Sequence, residues 1–376
     1  MASRFDVVQD TESRDTYYLN MGPQHPSTHG VLRLKLHMDG ETILSVEPVI
    51  GYGHRAHEKM AENRDYLKFL PNPSRVDYIS GMIYNIGYCQ AIERAMGIEV
   101  PERAEYIRII ANELNRISSH LLWLGTFLLD LGAFTPFLYA FDDREKILDI
   151  LDRVTGSRLT YCYGRFGGVV LDVDDIFLKN VADFCTYFKD RFEIYTNLVI
   201  DNVIFQERSV GIGIFEQDLV QKYGVSGPAL RAMGHAYDVR KDEPYGIYDR
   251  FEFDIPTQQA GDCFARSLVR MDEMLQSVRI IEQAVKDIPE GPFMAPKVPK
   301  RIRPAEGEYH FSVESARGNF GMYIVSDGTD IPFRLKLRTP SFANMATMPN
   351  VMKGSLLSDA VAILGSIDIV VPEIDR

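Results

Sequence analysis

Cysteine is scarce in this chain: 376 residues hold only Cys89, Cys162, Cys185 and Cys263. They lie too far apart in sequence for a zinc or disulfide framework, which points to a reducing, cytoplasmic compartment. Basic charge is also short, with 41 Lys and Arg against 53 Asp and Glu and a net charge of −12. That balance excludes nucleic acid as the main partner, because nothing is in excess to displace phosphate counterions. No GxGxxG follows a strand pattern, and there is no Walker A, HExxH or CxxC. On these grounds the chain by itself is expected to bind neither NAD nor a metal. The opening MASRFDVVQDTESRD has no apolar run and does not read as a signal peptide.

One long apolar run is present. Leu121 to Phe141, LLWLGTFLLDLGAFTPFLYAF, carries a single charge, Asp130, over a span long enough for a bilayer. Gly132 and Pro136 interrupt it, and a central carboxylate in lipid is costly. A buried core helix is the expectation. A carboxylate inside LLDLG must then be desolvated or paired, and burial would raise its pKa.

The pattern divides the chain into three parts. Residues 1–60 read as β: Leu32, Leu34, Leu36 and Met38 alternate with Arg33, Lys35 and His37, and Asp39-Gly40 turns the chain back into ETILSVE. Residues 61–295 read as a helical bundle. A stripe of Met82, Ile86, Cys89, Ile92 and Met96 follows a Pro71/Pro73 turn, where Ser74 and Asp77 resemble a capping box and Tyr78 falls in the first helical turn. A helix from Pro101 to about Leu131 carries the seam Ile107, Ile110, Leu114, Ile117, Leu121, Leu124 and Leu128. Further helical patterns span 174–200 and 256–287. Residues 296–376 return to short strands and a tail, with Phe333, Leu335 and Leu337 opposite Arg334, Lys336 and Arg338. VGIGIF at 210–215 holds a lone GxG and reads as a turn between strands. The fold class is α+β, a central helical bundle with small N-terminal and C-terminal β regions expected to meet.

Read alone, the polar concentrations have bland explanations. HPSTHG, with His25 and His29, fits turn chemistry with solvated imidazoles. GYGHRAHEK, with His54, Arg55 and His57, fits a solvated charged face. Capping accounts for Asp77 but leaves Tyr78 without a structural reason, and Asp130 is the carboxylate hardest to explain by structure alone. A proton-handling site of His, Tyr and Asp is the local reading, with no substrate named.

Seven segments in order, GPQHPSTHGVLRL, EPVIGYGHRAHEK, RVDYIS, LNRISSHLLWLGTFLLDLGAFTPF, VESARGNFGMYIVSDG, LRTPSFANM and IDIVVPEIDR, resemble the quinone-site subunit family of proton-pumping NADH:quinone oxidoreductase, respiratory complex I. That family is similar to the nickel–iron hydrogenase large subunit, whose metal lies between two CxxC pairs. Here the pairs correspond to Asp77 with Ser80 and to Val370 with Glu373, which cannot replace soft thiolates. The resemblance therefore implies a hydrogenase-large-subunit-like fold whose old metal cavity takes a quinone headgroup.

It further implies that His29 and Tyr78 hydrogen-bond the quinone carbonyls and that Asp130 pairs with the histidine. His25, Asp368 and Val370 line the pocket. Arg55 would lie beside the terminal 4Fe–4S cluster of a partner subunit. Thr160, in RLTYCYGRFGG, stands where many members have a cluster-facing histidine, so cluster reduction would be uncoupled from proton uptake there, which favours menaquinone over ubiquinone. No cofactor would be bound by this chain; quinone is the substrate, and NADH, FMN and iron–sulfur clusters belong to partner subunits. The expected partners are the subunit carrying that cluster and the membrane-arm subunit at the quinone entrance. The location implied is the cytoplasmic face of the bacterial inner membrane, peripherally bound. Rival readings are a hydrogenase or formate-hydrogenlyase large subunit, a catalytically silent scaffold, and a ferredoxin- or deazaflavin-driven relative. The missing CxxC pairs count against the first, and the presence together of His29, Tyr78 and Asp130 against the second.

Overall fold

Alternation in residues 32–38 produces a one-sided strand. In the computed structural model, which describes residues 5–9, 16–24 and 30–376, strands β1 (Phe5–Gln9), β2 (Thr16–Met21), β3 (Arg33–Asp39) and β4 (Thr42–Val49) form an antiparallel sheet in that order. Leu34, Leu36 and Met38 are fully buried, and the intervening Arg33, Lys35 and His37 are half-buried. Gly40 turns the β3–β4 hairpin with φ 56°, a left-handed conformation that glycine adopts without steric cost. The inner face packs on Met345, Met348, Ile363 and Leu364 from the other end of the chain.

The bundle comprises α1 (Gly81–Met96), α2 (Glu102–Asp130), α3 (Phe134–Thr155), α4 (Asp175–Tyr195) and α5 (Cys263–Asp287). Every residue of the predicted α2 seam is buried. The first half of α2 is equally buried although it is rich in charge. Arg108 is paired with Glu93 at 2.6 Å and Glu105 at 3.0 Å, and Glu113 lies 3.1 Å from both Arg116 and Arg240. The apolar run does not continue as one helix. α2 ends at Asp130, the chain turns through Gly132 (φ 92°), and α3 restarts at Phe134. Among the described residues no helix is long and apolar enough to cross a membrane.

Three expectations are corrected. α5 begins at Cys263, not near 256, because Asp262 caps it by accepting from Ala265 N at 2.7 Å. The preceding segment runs as a strap, its Glu252 and Asp254 amides donating to Gln283 and Gln276 of α5. VGIGIF is a turn, but one between short helices, Val203–Glu207 and Asp218–Tyr223. Phe333 precedes its strand and is 69% exposed, so it does not share the buried face of Leu335 and Leu337.

The C-terminal sheet is β5 (Gly307–Ser315), β6 (Gly318–Ser326) and β7 (Arg334–Arg338), antiparallel in that order. Its Val313 seats against Gly87 of α1, where any Cβ would come within 3.0 Å. The two sheets do not pair with each other. Instead, the edge of β7 meets helix His57–Ala61, where Glu58 accepts from Leu337 N at 3.0 Å and binds Lys336. The chain closes with α6 (Leu357–Ile367) and a short helix, Val371–Asp375.

Candidate functional site

The RVDY segment is a loop. Pro73–Arg75 makes one 3-10 turn, and α1 starts only at Gly81, so Tyr78 precedes the helix. The Ser74/Asp77 capping box does not form. Ser74 Oγ donates to the Pro71 carbonyl, while one Asp77 oxygen accepts from the amides of Ile79 and Ser80, each at 3.1 Å. This Asx-type turn bends the backbone around Tyr78. Asn115 of α2 fixes the same loop from below, accepting from Met82 N at 3.1 Å and donating to Ile79 O at 2.9 Å.

Arg317 joins this loop to the end of the chain. It stands in the two-residue turn between β5 and β6, fully buried. One terminal nitrogen donates to Asp77 at 2.9 Å and to the hydroxyls of Ser80 and Ser119 at 3.2 and 3.3 Å. The other donates to Asp368 at 3.1 Å. Burial opposes its charge, but Asp368 and Asp77 hold its proton more firmly than usual. Tyr78 is half-buried beside these groups. Burial pushes its phenol above the ordinary range, Arg317 opposes that, and Asp77 and Asp368 add to it. The phenol is therefore a neutral donor at physiological pH.

Asp368 adopts φ 58° at the C-terminus of α6, a left-handed conformation uncommon for a residue with a side chain. Arg270 of α5 caps that helix end, donating to the carbonyls of Ser366 and Ile367 at 2.8 and 3.0 Å, and lies 3.9 Å from Asp368 Oδ2. Among the described residues Asp368 Oδ2 and Arg317 Nε have no hydrogen-bond partner, so polar capacity is left over at this point. Val370 is buried and donates its amide to Ser341 Oγ at 3.3 Å.

The site residues expected from the sequence divide accordingly. Asp77, next to Tyr78, and Asp368 are bridged by Arg317, with Val370 two residues beyond Asp368. His25 and His29 lie outside the described residues. Asp130 is half-buried at the last position of α2, eleven residues past Ser119, hence about 16 Å further along the axis. It belongs to the edge of the bundle, not to the Arg317 cluster or to a helix interior. Arg55 is exposed on the loop before His57, and that loop is pinned by Asp375, which accepts from Gly51 N at 2.7 Å and Gly53 N at 2.6 Å. Burial first, then Arg55, His54 and Arg75, lower the neighbouring His57 to about 4. Thr160 is half-buried next to Leu159, whose carbonyl stands against Gly81 at the start of α1. Arg317, Asn115, Ser119 and Arg270 were not anticipated. Arg317 falls within VESARGNF, but nothing in the pattern marks an arginine as buried.

A model of the family described as respiratory-chain NADH dehydrogenase, 49 Kd subunit, matches residues 130–304 and 297–376. The chain belongs to this family. It is 56% identical to an NADH-quinone oxidoreductase subunit from Syntrophobacter fumaroxidans, over 96% of each chain. A protein of the same name from Desulfotalea psychrophila is also 56% identical, over 96% of this chain and 97% of its own. One from Geobacillus kaustophilus is 51% identical over 95% and 97%. As a complex I subunit of the 49 Kd family, the chain works within an oxidoreductase assembly, and other complex I subunits are its partners.

Proposed function

We propose that this 49 Kd-family subunit forms the quinone-reduction site of a proton-translocating NADH:quinone oxidoreductase, next to the terminal 4Fe–4S cluster of a partner subunit. The observation that carries the reading is Tyr78, a neutral phenol half-buried beside the Asp77–Arg317–Asp368 bridge. A neutral donor placed there stabilises the negative charge that develops on a quinone oxygen as electrons arrive, and can pass it a proton. His29 is the second donor, Asp130 its charge partner, and His25, Asp368 and Val370 line the pocket. Asp130 ends α2, where the helix dipole disfavours a carboxylate.

In this reading Arg55 and Thr160 face the cluster, and NADH, FMN and the iron–sulfur centres are held by partner subunits. The subunit lies peripherally on the cytoplasmic face of the inner membrane, against the membrane-arm subunit at the quinone entrance. Tyr78→Phe in the assembled complex tests it. Quinone reduction should fall by about two to three orders of magnitude, while electron entry measured with an artificial acceptor stays near wild type. Unchanged quinone reduction would overturn the assignment.

A further inference from the structure

Behind the Asp77–Arg317–Asp368 bridge lies a third carboxylate, Glu373, fully buried in the helix Val371–Asp375. Its partners differ from those of its neighbours. Tyr84 of α1 donates to Oε1 at 2.6 Å, the Ser341 amide donates to the same oxygen at 3.4 Å, and the Ser341 hydroxyl donates to Oε2. No ion pair with a guanidinium is present among the described residues. Arg317 is bonded to Asp77 and Asp368, and Arg270 lies against Asp368. Arg338 faces the region but donates to the carbonyls of Asn319 and Gly224 at 2.9 and 2.6 Å.

The charge count is unbalanced. Asp77, Asp368 and Glu373 are three buried carboxyls, and the buried guanidiniums beside them are two, Arg317 and Arg270, because Arg338 is exposed to water that screens its charge. A buried excess charge is expensive, and the cheapest remedy is a proton on the carboxyl that lacks a cation. Hydroxyls make that possible where guanidiniums would not. The Ser341 amide only donates to Oε1, but the Ser341 hydroxyl at Oε2 can donate or accept, so one geometry serves both the acid, protonated on Oε2, and its anion.

We propose that Glu373 is the proton-holding group of the quinone site, a neutral carboxylic acid whose ionisation places a third negative charge beside Asp77 and suppresses quinone reduction. This rests on the reading of Tyr78 given above. Burial, followed by Asp77, pushes the Glu373 carboxyl up to about 7, against the pull of Arg317, Ser341 and Tyr84. The sign follows directly: the group is neutral below that value and negative above it. A negative Glu373 opposes further negative charge on a bound quinone.

The test is the pH profile of quinone reduction in the assembled complex, divided at each pH by electron entry to an artificial acceptor. In the unaltered complex the ratio should fall on the order of tenfold between about pH 6 and 8, the course of a single ionisation centred near neutrality. Glu373→Gln, which cannot ionise, should flatten that fall to less than about twofold. Ser341→Ala removes a donor to the carboxylate and should move the fall to higher pH by about one to two units. It also answers the question if Glu373→Gln does not assemble. A fall that persists unchanged in Glu373→Gln, or does not move in Ser341→Ala, overturns the proposal. Tyr78→Phe run in parallel separates the two claims. If Tyr78→Phe reduces quinone normally, the site itself is misassigned. If Tyr78→Phe is crippled while the pH profile of Glu373→Gln matches wild type, only the proton-holding role is lost.

Discussion

Two buried charge clusters lie close together in this chain and treat their carboxylates differently. In the bundle, between α2 and α5, every carboxylate meets a guanidinium. Glu113 is 3.1 Å from Arg116 and from Arg240, Asp238 is 2.7 Å from Arg240, Glu314 is 2.9 Å from Arg231, and Glu273 binds Arg231 and His120. Burial works against ionisation of Glu273, yet Arg231 and His120 hold its carboxyl down at about 2. At the Arg317 cluster Asp77 and Asp368 share one guanidinium, and Glu373 is held by two hydroxyls and the Ser341 amide. The same residue types thus lock Glu273 in one place and leave Glu373 titratable in the other, while Glu314, pushed up to about 7 by burial and Asp238 against the pull of Arg231, shows that one guanidinium does not always suffice. A guanidinium offsets the cost of a buried charge, and where burial outweighs that gain the acid is free to take up or release a proton.

The contrast is broken most severely by Arg231→Met. Glu273 and Glu314 would be left buried without their shared cation, at a cost of about 3–5 kcal/mol. We expect the chain to be almost absent from assembled complex and its urea midpoint to drop sharply. Wild-type recovery would mean that the bundle cluster is not a lock. Tyr84→Phe sharpens the difference from the other side. It removes one hydroxyl from Glu373, and should cost about 1–2 kcal/mol in urea unfolding of the purified chain. A loss as large as that of Arg231→Met would show that Tyr84 acts as a structural anchor equal to an ion pair. The smallest effect belongs to an ion pair in water. Lys189 and Glu282 are 2.6 Å apart but about half exposed, so Lys189→Ala should cost less than about 1 kcal/mol. A larger loss in the same unfolding measurement would contradict the view that burial, and not the presence of a charge pair, sets these magnitudes.

Much of the fold was legible because periodic patterns are local. The alternation at 32–38 and the three-four spacing from Ile107 to Leu128 each mark a buried face, and those faces are buried. Boundaries were less legible where a single side chain decides them. Asp262 rather than the apolar pattern starts α5, and the Asx turn at Asp77 keeps Tyr78 out of α1. Of the site, Tyr78 and Asp368 could be named in advance only through the resemblance to a known family. Arg317, which bridges Asp77 and Asp368 beside the phenol, could not, because an arginine in a tight β-turn reads as solvated unless its three-dimensional neighbours are known.

By itself, then, the sequence determined the elements, the α+β class, the family and the residue types available for proton chemistry. Those follow from local spacing and from motifs that survive as strings. Only the tertiary structure decided which charges are buried together. Arg317 meets Asp77 across 240 positions, and Glu373 meets Tyr84 across 289. Ionisation depends on distance and on exclusion of water, and neither is a property of neighbours in sequence.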